Sequence, residues 1–350
     1  MLAALVSGYH GPPELTFGRA LTSWTLDPWT AAAIVILGGL YLLGVRRVRR
    51  SGGRWPAARA VMFCGLGLGF GAIATMSFVG VYQPVLFYIR SVQTVLLLLV
   101  VPLFLALGRP LTLAIKALPR FGSRLESAVG SRVARVATFP AITTVVLVLT
   151  PFVIYFTPWY QAGFSSAVVA QLTHIALIAP GFVFFWTLLR VDPVPKAYPY
   201  VVALWITGAE VIGDAVLGLA VIAHTGLIAG PYYHALARPW GPNLATSQVL
   251  GGGVLWILGD IVGLPFLAAQ FIQMIREDQS DAKAIDAELD AREAAAAASA
   301  TSTPAVDVTA DASGTNGTGV ASGPEPPAQR PWWENDPRFA DRFRAIDETD

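Results

Sequence analysis

A charged side chain lies inside a segment that is otherwise apolar enough to cross a membrane. The segment VLFYIRSVQTVLLLLVVPLFLALGRP runs from Val85 to Pro110 and contains Arg90. A charge at that depth costs roughly 2.5–3.5 kcal/mol on insertion scales, so it normally faces a polar partner rather than lipid. Gln93 and Thr94 follow Arg90 at spacings of three and four residues, so all three share one helix face. This face is the first candidate for binding chemistry.

The other predicted spans contain further ionisable side chains, among them His174, Glu210, Asp214, His224 and Asp260. At about 100° per residue, Glu210, Asp214 and His224 fall within an arc of roughly 80°, so one face of their span is polar. Several such groups in one small bundle must compensate one another or line an aqueous cavity. The simplest arrangement pairs Arg90 with one of the three acids. Gln248 completes the predicted buried polar network.

Two interpretations of this network stay open. It could be an internal ion-pair network that fixes the register of the helices and performs no chemistry. It could instead line a cavity, open to the outside, that binds a metal, a proton or a small ligand. Histidine is the commonest metal ligand, which makes His174 and His224 the metal candidates. They are isolated in the sequence, however, and no His-x-x-x-His pair places two ligands on one helix face.

Most catalytic chemistries find no support. The sequence has no Walker loop, GxSxG elbow, HExxH or CxxC motif, so we expect no enzyme. No basic patch is interleaved with aromatic residues outside the spans, which argues against nucleic acid as a partner. The chain has one cysteine, Cys64, which excludes an internal disulfide.

The composition is that of a polytopic membrane protein. Of 350 residues, 54% are hydrophobic and only 13% are charged, and the mean hydropathy is +0.56. Soluble domains average about 25% charged residues. We predict an all-α bundle of seven transmembrane helices, each near the ~20 residues that cross a bilayer. The predicted spans are Trp29–Val45, Ala57–Gly80, Val85–Leu107, Ala137–Thr157, Ser165–Leu189, Pro199–Thr225 and Thr246–Ile272.

The placement of the basic residues predicts the orientation of the bundle. The net charge is only +1, but lysines and arginines concentrate after the first, third and fifth spans. The clusters begin with Arg46 and Arg47, with Arg109 and Lys116, and with Arg190. The positive-inside rule therefore places the N-terminus outside and the C-terminus in the cytoplasm, with the lipid bilayer around the bundle.

The chain divides into five predicted regions. Residues 1–28 form an external segment and residues 29–275 the membrane domain. Residues 276–300 are charged and alanine-rich, which favours an exposed helical extension. Residues 301–330 have the composition of a disordered linker. In residues 331–350, Trp332 and Trp333 precede Phe339 and Phe343 at amphipathic spacing, a pattern that suggests docking onto a membrane or a partner.

Several motifs resemble those of the CtaG-type cytochrome c oxidase assembly proteins, seven-span membrane proteins of bacteria. The third span ends in PLFLALGRP, which is similar to the family's Pro-x-Leu-Leu-x-Leu-Gly-x-Pro ending. Aligning on this ending places the family's two histidines at Arg90 and Thr94, with Gln93 at the glutamine between them. LTHIALIAPGFVFFW around His174 and TSQVLGGGVLWILG in the last span resemble two further parts, with Ser247 in place of an aspartate.

The resemblance implies a function in the bacterial plasma membrane. Members of the family are implicated in maturing the haem–copper oxidase, at its copper B centre. Oxidase subunits would then be the partners and copper the candidate cofactor. The departures matter, because an arginine repels a copper ion and Thr94 is a poor copper ligand. This chain has either lost the histidine-pair site or moved it toward His174 and His224.

Two other functions remain open from the sequence. One is a transporter-like protein that moves copper or another small solute through the buried polar cavity. The other is a structural membrane protein whose buried charges only specify the bundle.

Overall fold

The computed structural model of the chain describes residues 8–190, 192–195 and 198–301. The predicted linker beyond residue 301 and the docking motif with Trp332, Trp333, Phe339 and Phe343 lie outside the described residues. The chain divides at Asp286 into two compact units, and the site described below lies in the first. Within the described residues, every regular element is a helix.

The helices, in chain order, begin with α1 (Phe17–Thr22), α2 (Pro28–Arg50) and α3 (Ala57–Tyr82). Helix α4 comprises Phe87–Val95, a π-helical turn Leu96–Val100, and Val101–Leu107. The next are α5 (Pro110–Ala117), α6 (Pro119–Val129), α7 (Arg132–Ala137), α8 (Pro140–Phe156) and α9 (Trp159–Ser165). The last are α10 (Ala167–Leu189), α11 (Tyr200–Ala223), α12 (Gly230–Leu236) and α13 (Leu244–Thr301).

The predicted membrane bundle is confirmed as a set of six to seven candidate spans in the described part of the chain. Six helices are long and apolar enough to cross a bilayer. The predicted fourth span, Ala137–Thr157, corresponds to α8, which has only 17 residues. Helix α9 follows it at a bend of 68°, and the bent pair supplies the seventh candidate span. The orientation stays a prediction. We call the end of the bundle where α4 begins the outer end, and the opposite end the inner end.

Apolar side chains cover the outside of the bundle. Val35 and Leu40 of α2 and Trp205 of α11 are 72%, 62% and 77% exposed. A water-soluble protein rarely presents such a continuous apolar surface. These side chains therefore face lipid, and the helical backbone satisfies its own hydrogen bonds there.

Helix α4 forms the centre of the bundle. Leu97, Leu98 and Leu99 are each at most 4% exposed. Pro102 has no N–H to donate to the carbonyl of Leu98, its usual partner four residues earlier. Gly181 of α10 packs directly on that carbonyl oxygen, where a Cβ atom would collide with it. The proline and the glycine together explain the close approach of α4 and α10.

Hydrogen bonds at the inner end fix the segment after α4. Arg109 adopts a left-handed conformation (φ 54°), which redirects the chain into α5. Asp192 accepts from the amides of Leu111 and Thr112 at 3.1 and 2.9 Å, and from the Thr112 hydroxyl. The carboxylate thereby supplies partners to the otherwise unsatisfied amides of the first turn of α5.

Candidate functional site

Arg90 is buried at the outer end of α4 and is held by two amide side chains. It is 3% exposed, and its Nη1 donates to Oε1 of Gln83 and to Oε1 of Gln93, both at 2.8 Å. Gln83 comes from the loop between α3 and α4, while Gln93 lies one turn along α4. Nε2 of Gln93 donates in turn to the carbonyl of Ala74 at 2.9 Å. The guanidinium is thus the middle of a hydrogen-bonded chain that ties α4 to α3.

Aromatic rings complete the surroundings of the guanidinium. Its Cζ lies 5.3 Å from the ring centroid of Phe164 and 5.8 Å from that of Tyr160, both within cation–π range. Both rings belong to α9, and the bend between α8 and α9 turns that helix over the end of α4. Nη2 of Arg90 is buried without a hydrogen-bond partner and lies 3.5 Å from the position of a Cβ on Gly163. The ring faces supply negative electrostatic potential where a carboxylate was expected.

Thr94 is occupied by internal hydrogen bonds. Its hydroxyl donates to the Arg90 carbonyl at 3.0 Å and lies 3.1 Å from the hydroxyl of Tyr155. The Tyr155 hydroxyl also donates to Ser91 at 3.4 Å. Beside this group, the hydroxyls of Tyr160 and Tyr233 are 2.9 Å apart. Burial raises the pKa of Tyr233, so this hydroxyl keeps its proton for the hydrogen bond.

The expected ion pair between Arg90 and Glu210, Asp214 or Asp260 is wrong. In the part of the chain that the structure describes, Arg90 forms no ion pair with any of the three. The reason is the rotation of α11, whose acidic face is turned toward α13. Oε2 of Glu210 lies 3.1 Å from the position of a Cβ on Gly263, and the Asp214 carboxyl packs against Gly259.

The predicted polar network is therefore divided into two groups. Arg90, Gln93 and Thr94 form one group with the aromatic residues of the outer end. Glu210 and Asp214 form the other on α11, and Asp260 of α13 has a buried oxygen without a hydrogen-bond partner. Gly259 and Gly263 of α13 leave room for the carboxyl groups of Asp214 and Glu210.

Gln248 belongs to neither group, because it fixes the loop that follows α11. Its Oε1 accepts from the amide of Ile228 at 2.8 Å, and its Nε2 donates to the carbonyls of Gly226 at 3.1 Å and Val221 at 3.3 Å. The neighbouring Ser247 accepts from the amide of Phe87 at 3.2 Å, at the first residue of α4. Ser247 and Gln248 of α13 therefore position the outer ends of other helices.

The structure does not bring the two candidate metal ligands together. His174 lines an apolar cleft of about 540 Å³ between α2 and α10, with its Nδ1 buried and without a partner. His224 lies just after α11, beside a different cavity of about 350 Å³, and its Nδ1 is 2.8 Å from the Gly226 carbonyl oxygen. Among the described residues, no three His, Cys, Asp or Glu side chains are placed to hold one metal ion.

Sequence reasoning missed the aromatic residues that surround Arg90. Tyr155, Tyr160, Phe164, Tyr232 and Tyr233 lie in or between spans, where aromatic residues are ordinarily assigned to the membrane interface. The rings of Phe164 and Tyr232 stack at a centroid distance of 4.4 Å. The clustering of aromatic residues in YFTPWYQAGF and GPYYH was the available signal.

Comparison with known proteins agrees with this architecture. The profile of the cytochrome c oxidase caa3 assembly factor family (Caa3_CtaG) matches residues 39–277, which run from the middle of α2 into α13. The chain belongs to this family. The matched region contains both polar groups and both histidines described above. No solved structure matches the chain.

Mycobacterial proteins are among the relatives of this family member. The uncharacterized protein Mb0105 of Mycobacterium bovis is 28% identical over 293 residues, which cover 81% of this chain and 44% of the relative. The uncharacterized protein ML1998 of Mycobacterium leprae is 27% identical over 281 residues, covering 77% and 42%. The chain thus spans less than half the length of these curated relatives.

The copper that the resemblance suggests does not fit the positions of the family's histidine pair in this chain. At those positions the Caa3_CtaG member has a cation and a threonine, and Thr94 is already bonded to Arg90 and Tyr155. Copper sites prefer imidazole, thioether or thiolate ligands. A fixed positive charge at Arg90 also opposes a second cation at these positions.

Proposed function

We propose that this chain is a membrane-embedded assembly factor that holds an intermediate of cytochrome c oxidase by protein contact, without passing copper through the positions of Arg90 and Thr94. Family membership supports the assembly role. The absence of copper transfer at these positions is inferred from the hydrogen bonds that both side chains make within the protein. Arg90 donates to Gln83 and Gln93, and the Thr94 hydroxyl pairs with that of Tyr155.

This chain would act at the copper B stage of oxidase maturation, which the resemblance suggests, by contacting a partner protein and not by delivering the metal. The hydrogen bonds and stacked rings of the outer end hold α4, α9 and α12 in one arrangement. A rigid end of this kind suits the recognition of a partner, because little conformational entropy is lost on binding. The partner would be an oxidase subunit in the bacterial plasma membrane.

A deletion strain tests the assembly role. We expect its membranes to show a reduced haem a difference spectrum and a reduced rate of oxygen consumption, and we expect added copper not to restore them. A plasmid copy of the chain should restore both. A normal oxidase in the deletion strain would refute the assembly role, and altered copper accumulation in that case would favour a transporter.

A double variant separates protein contact from copper delivery. A chain with both His174→Ala and His224→Ala should complement the deletion, provided that immunoblotting shows it in the membrane at normal amounts. The purified chain should carry oxidase subunits and less than one copper per chain by elemental mass spectrometry. Loss of complementation in the double variant, with rescue by added copper, would contradict the contact mechanism.

A further inference from the structure

A second cleft opens sideways between α2 and α5 at the inner end of the bundle. Its volume is about 510 Å³. Its walls come mainly from the apolar residues Leu37, Leu40, Gly44, Leu113, Ala114 and Ala117. Tyr41 and Arg47 are its polar lining residues, and no acidic residue lines it. A lateral opening of this kind in a membrane bundle faces the acyl chains of the bilayer.

The length of the cleft matches one leaflet. Leu37 and Arg47 line it ten residues apart on α2, which at 1.5 Å per residue corresponds to about 15 Å along the helix axis. The hydrocarbon core of a bilayer is about 30 Å thick, so the cleft extends through roughly half of it. A transmembrane helix of a partner would need the full thickness. An acyl chain with its headgroup at the level of Arg47 needs only this half.

The wall of the cleft is preformed. The Tyr41 hydroxyl donates to the carbonyl of Gly108 at 2.7 Å, and its ring stacks on Phe63 at a centroid distance of 4.2 Å. A Cβ on Gly44 would lie only 3.2 Å from Cγ of Leu113, so the glycine sets the spacing of the two walls. An occupant would therefore enter a cleft that needs no rearrangement.

Arg47 supplies charge complementarity for an anionic headgroup. It lies in the last turn of α2, it is exposed, and it forms no ion pair within the described ranges. Arg46, Arg49 and Arg50 neighbour it in sequence, but none of these three lines the cleft. Basic pockets between membrane helices are typical sites for phosphate headgroups.

We propose that this cleft binds an anionic phospholipid, with one acyl chain between α2 and α5 and the phosphate on the guanidinium of Arg47. The site is independent of the assembly role, since it rests on the cleft and its rim and not on Arg90 or the aromatic cluster.

Native mass spectrometry of the purified full chain tests this site. The probes are phosphatidylglycerol and phosphatidylcholine with identical acyl chains. One basic residue near a membrane surface favours an anionic lipid by about five-fold in affinity, so phosphatidylglycerol should bind about five-fold more tightly. Arg47→Gln should abolish that preference. Arg46→Gln removes the same charge one residue away, on a side chain that does not line the cleft, and should preserve it.

A second variant tests the acyl chain. Ala114→Phe fills the cleft and should reduce the binding of both lipids, while the melting temperature shows that the chain remains folded. Three results would overturn the proposal. They are equal losses in Arg46→Gln and Arg47→Gln, undiminished binding in Ala114→Phe, and full competition by soluble glycerol phosphate, which would indicate a headgroup site without an acyl chain.

Discussion

The partner of Arg90 can be identified by a double-mutant cycle. The perturbations are Arg90→Met, Gln93→Leu and the two together, with Arg90→Met plus Glu210→Gln as the matched comparison. The structure places Nη1 of Arg90 2.8 Å from Oε1 of Gln93, whereas Glu210 packs against Gly263. Arg90 should therefore couple energetically to Gln93 and not to Glu210.

The size of the coupling follows from the type of bond. A hydrogen bond to a charged group contributes about 1.5–3 kcal/mol, and Arg90 and Gln93 form one within the same helix. We expect a coupling of about 1.5 kcal/mol between Arg90 and Gln93, and less than about 0.5 kcal/mol between Arg90 and Glu210. The single change Arg90→Met is less informative, because losing its bonds and relieving its desolvation have opposite signs.

The assay is the free energy of unfolding in detergent micelles, measured by titration with sodium dodecyl sulfate. If Arg90 instead balanced Glu210, Arg90→Met would leave an uncompensated carboxylate at a cost of about 3–5 kcal/mol, and Glu210→Gln would recover much of it. A coupling to Glu210 equal to or greater than that to Gln93 would refute the arrangement described here.

Two further changes test the packing and the pH dependence. Gly181→Ala should destabilise the bundle by about 1–3 kcal/mol, because the new Cβ would overlap the Leu98 carbonyl. Gly253→Ala is the control and should not destabilise it, because the space around its Cβ is open. Equal melting temperatures of the two variants would contradict this prediction. Burial alone would raise the pKa of Asp27, but hydrogen bonds from Thr30 and Gln171, among others, lower it. Its contribution to stability is therefore present above its ordinary pKa of 3.8 and declines as the pH falls through its lower folded value. The stability advantage of the native chain over Asp27→Asn should shrink below that pH, and a constant difference in unfolding free energy would contradict the assignment.

Much of the bundle follows from the sequence because hydrophobic transfer is a property of each segment. An apolar run such as Val85–Leu107 favours a nonpolar environment whatever it packs against. Its length alone shows that it can cross a bilayer as a helix. The bend between α8 and α9 is the instructive exception. The predicted span ends at Thr157, and only the backbone shows that the chain then turns by 68° into a further helix, α9.

The sequence also identified the buried polar residues, since a charge inside an apolar run is visible without a structure. It did not identify their partners. The sequence gives the arc that a residue occupies on its own helix, but not the rotation of that helix against its neighbours. Glu210 and Asp214 were correctly placed on one face of α11, yet that face is turned to Gly259 and Gly263 and not to Arg90.

By itself, then, the sequence determined an all-α membrane bundle of six to seven candidate spans, with an arginine and a threonine at the positions where the family it resembles has a histidine pair, because composition and order are local. Only the tertiary structure decided that Arg90 is held by glutamines and aromatic rings and that His174 and His224 line separate cavities. These outcomes depend on distances between helices far apart in the chain, which are set by packing.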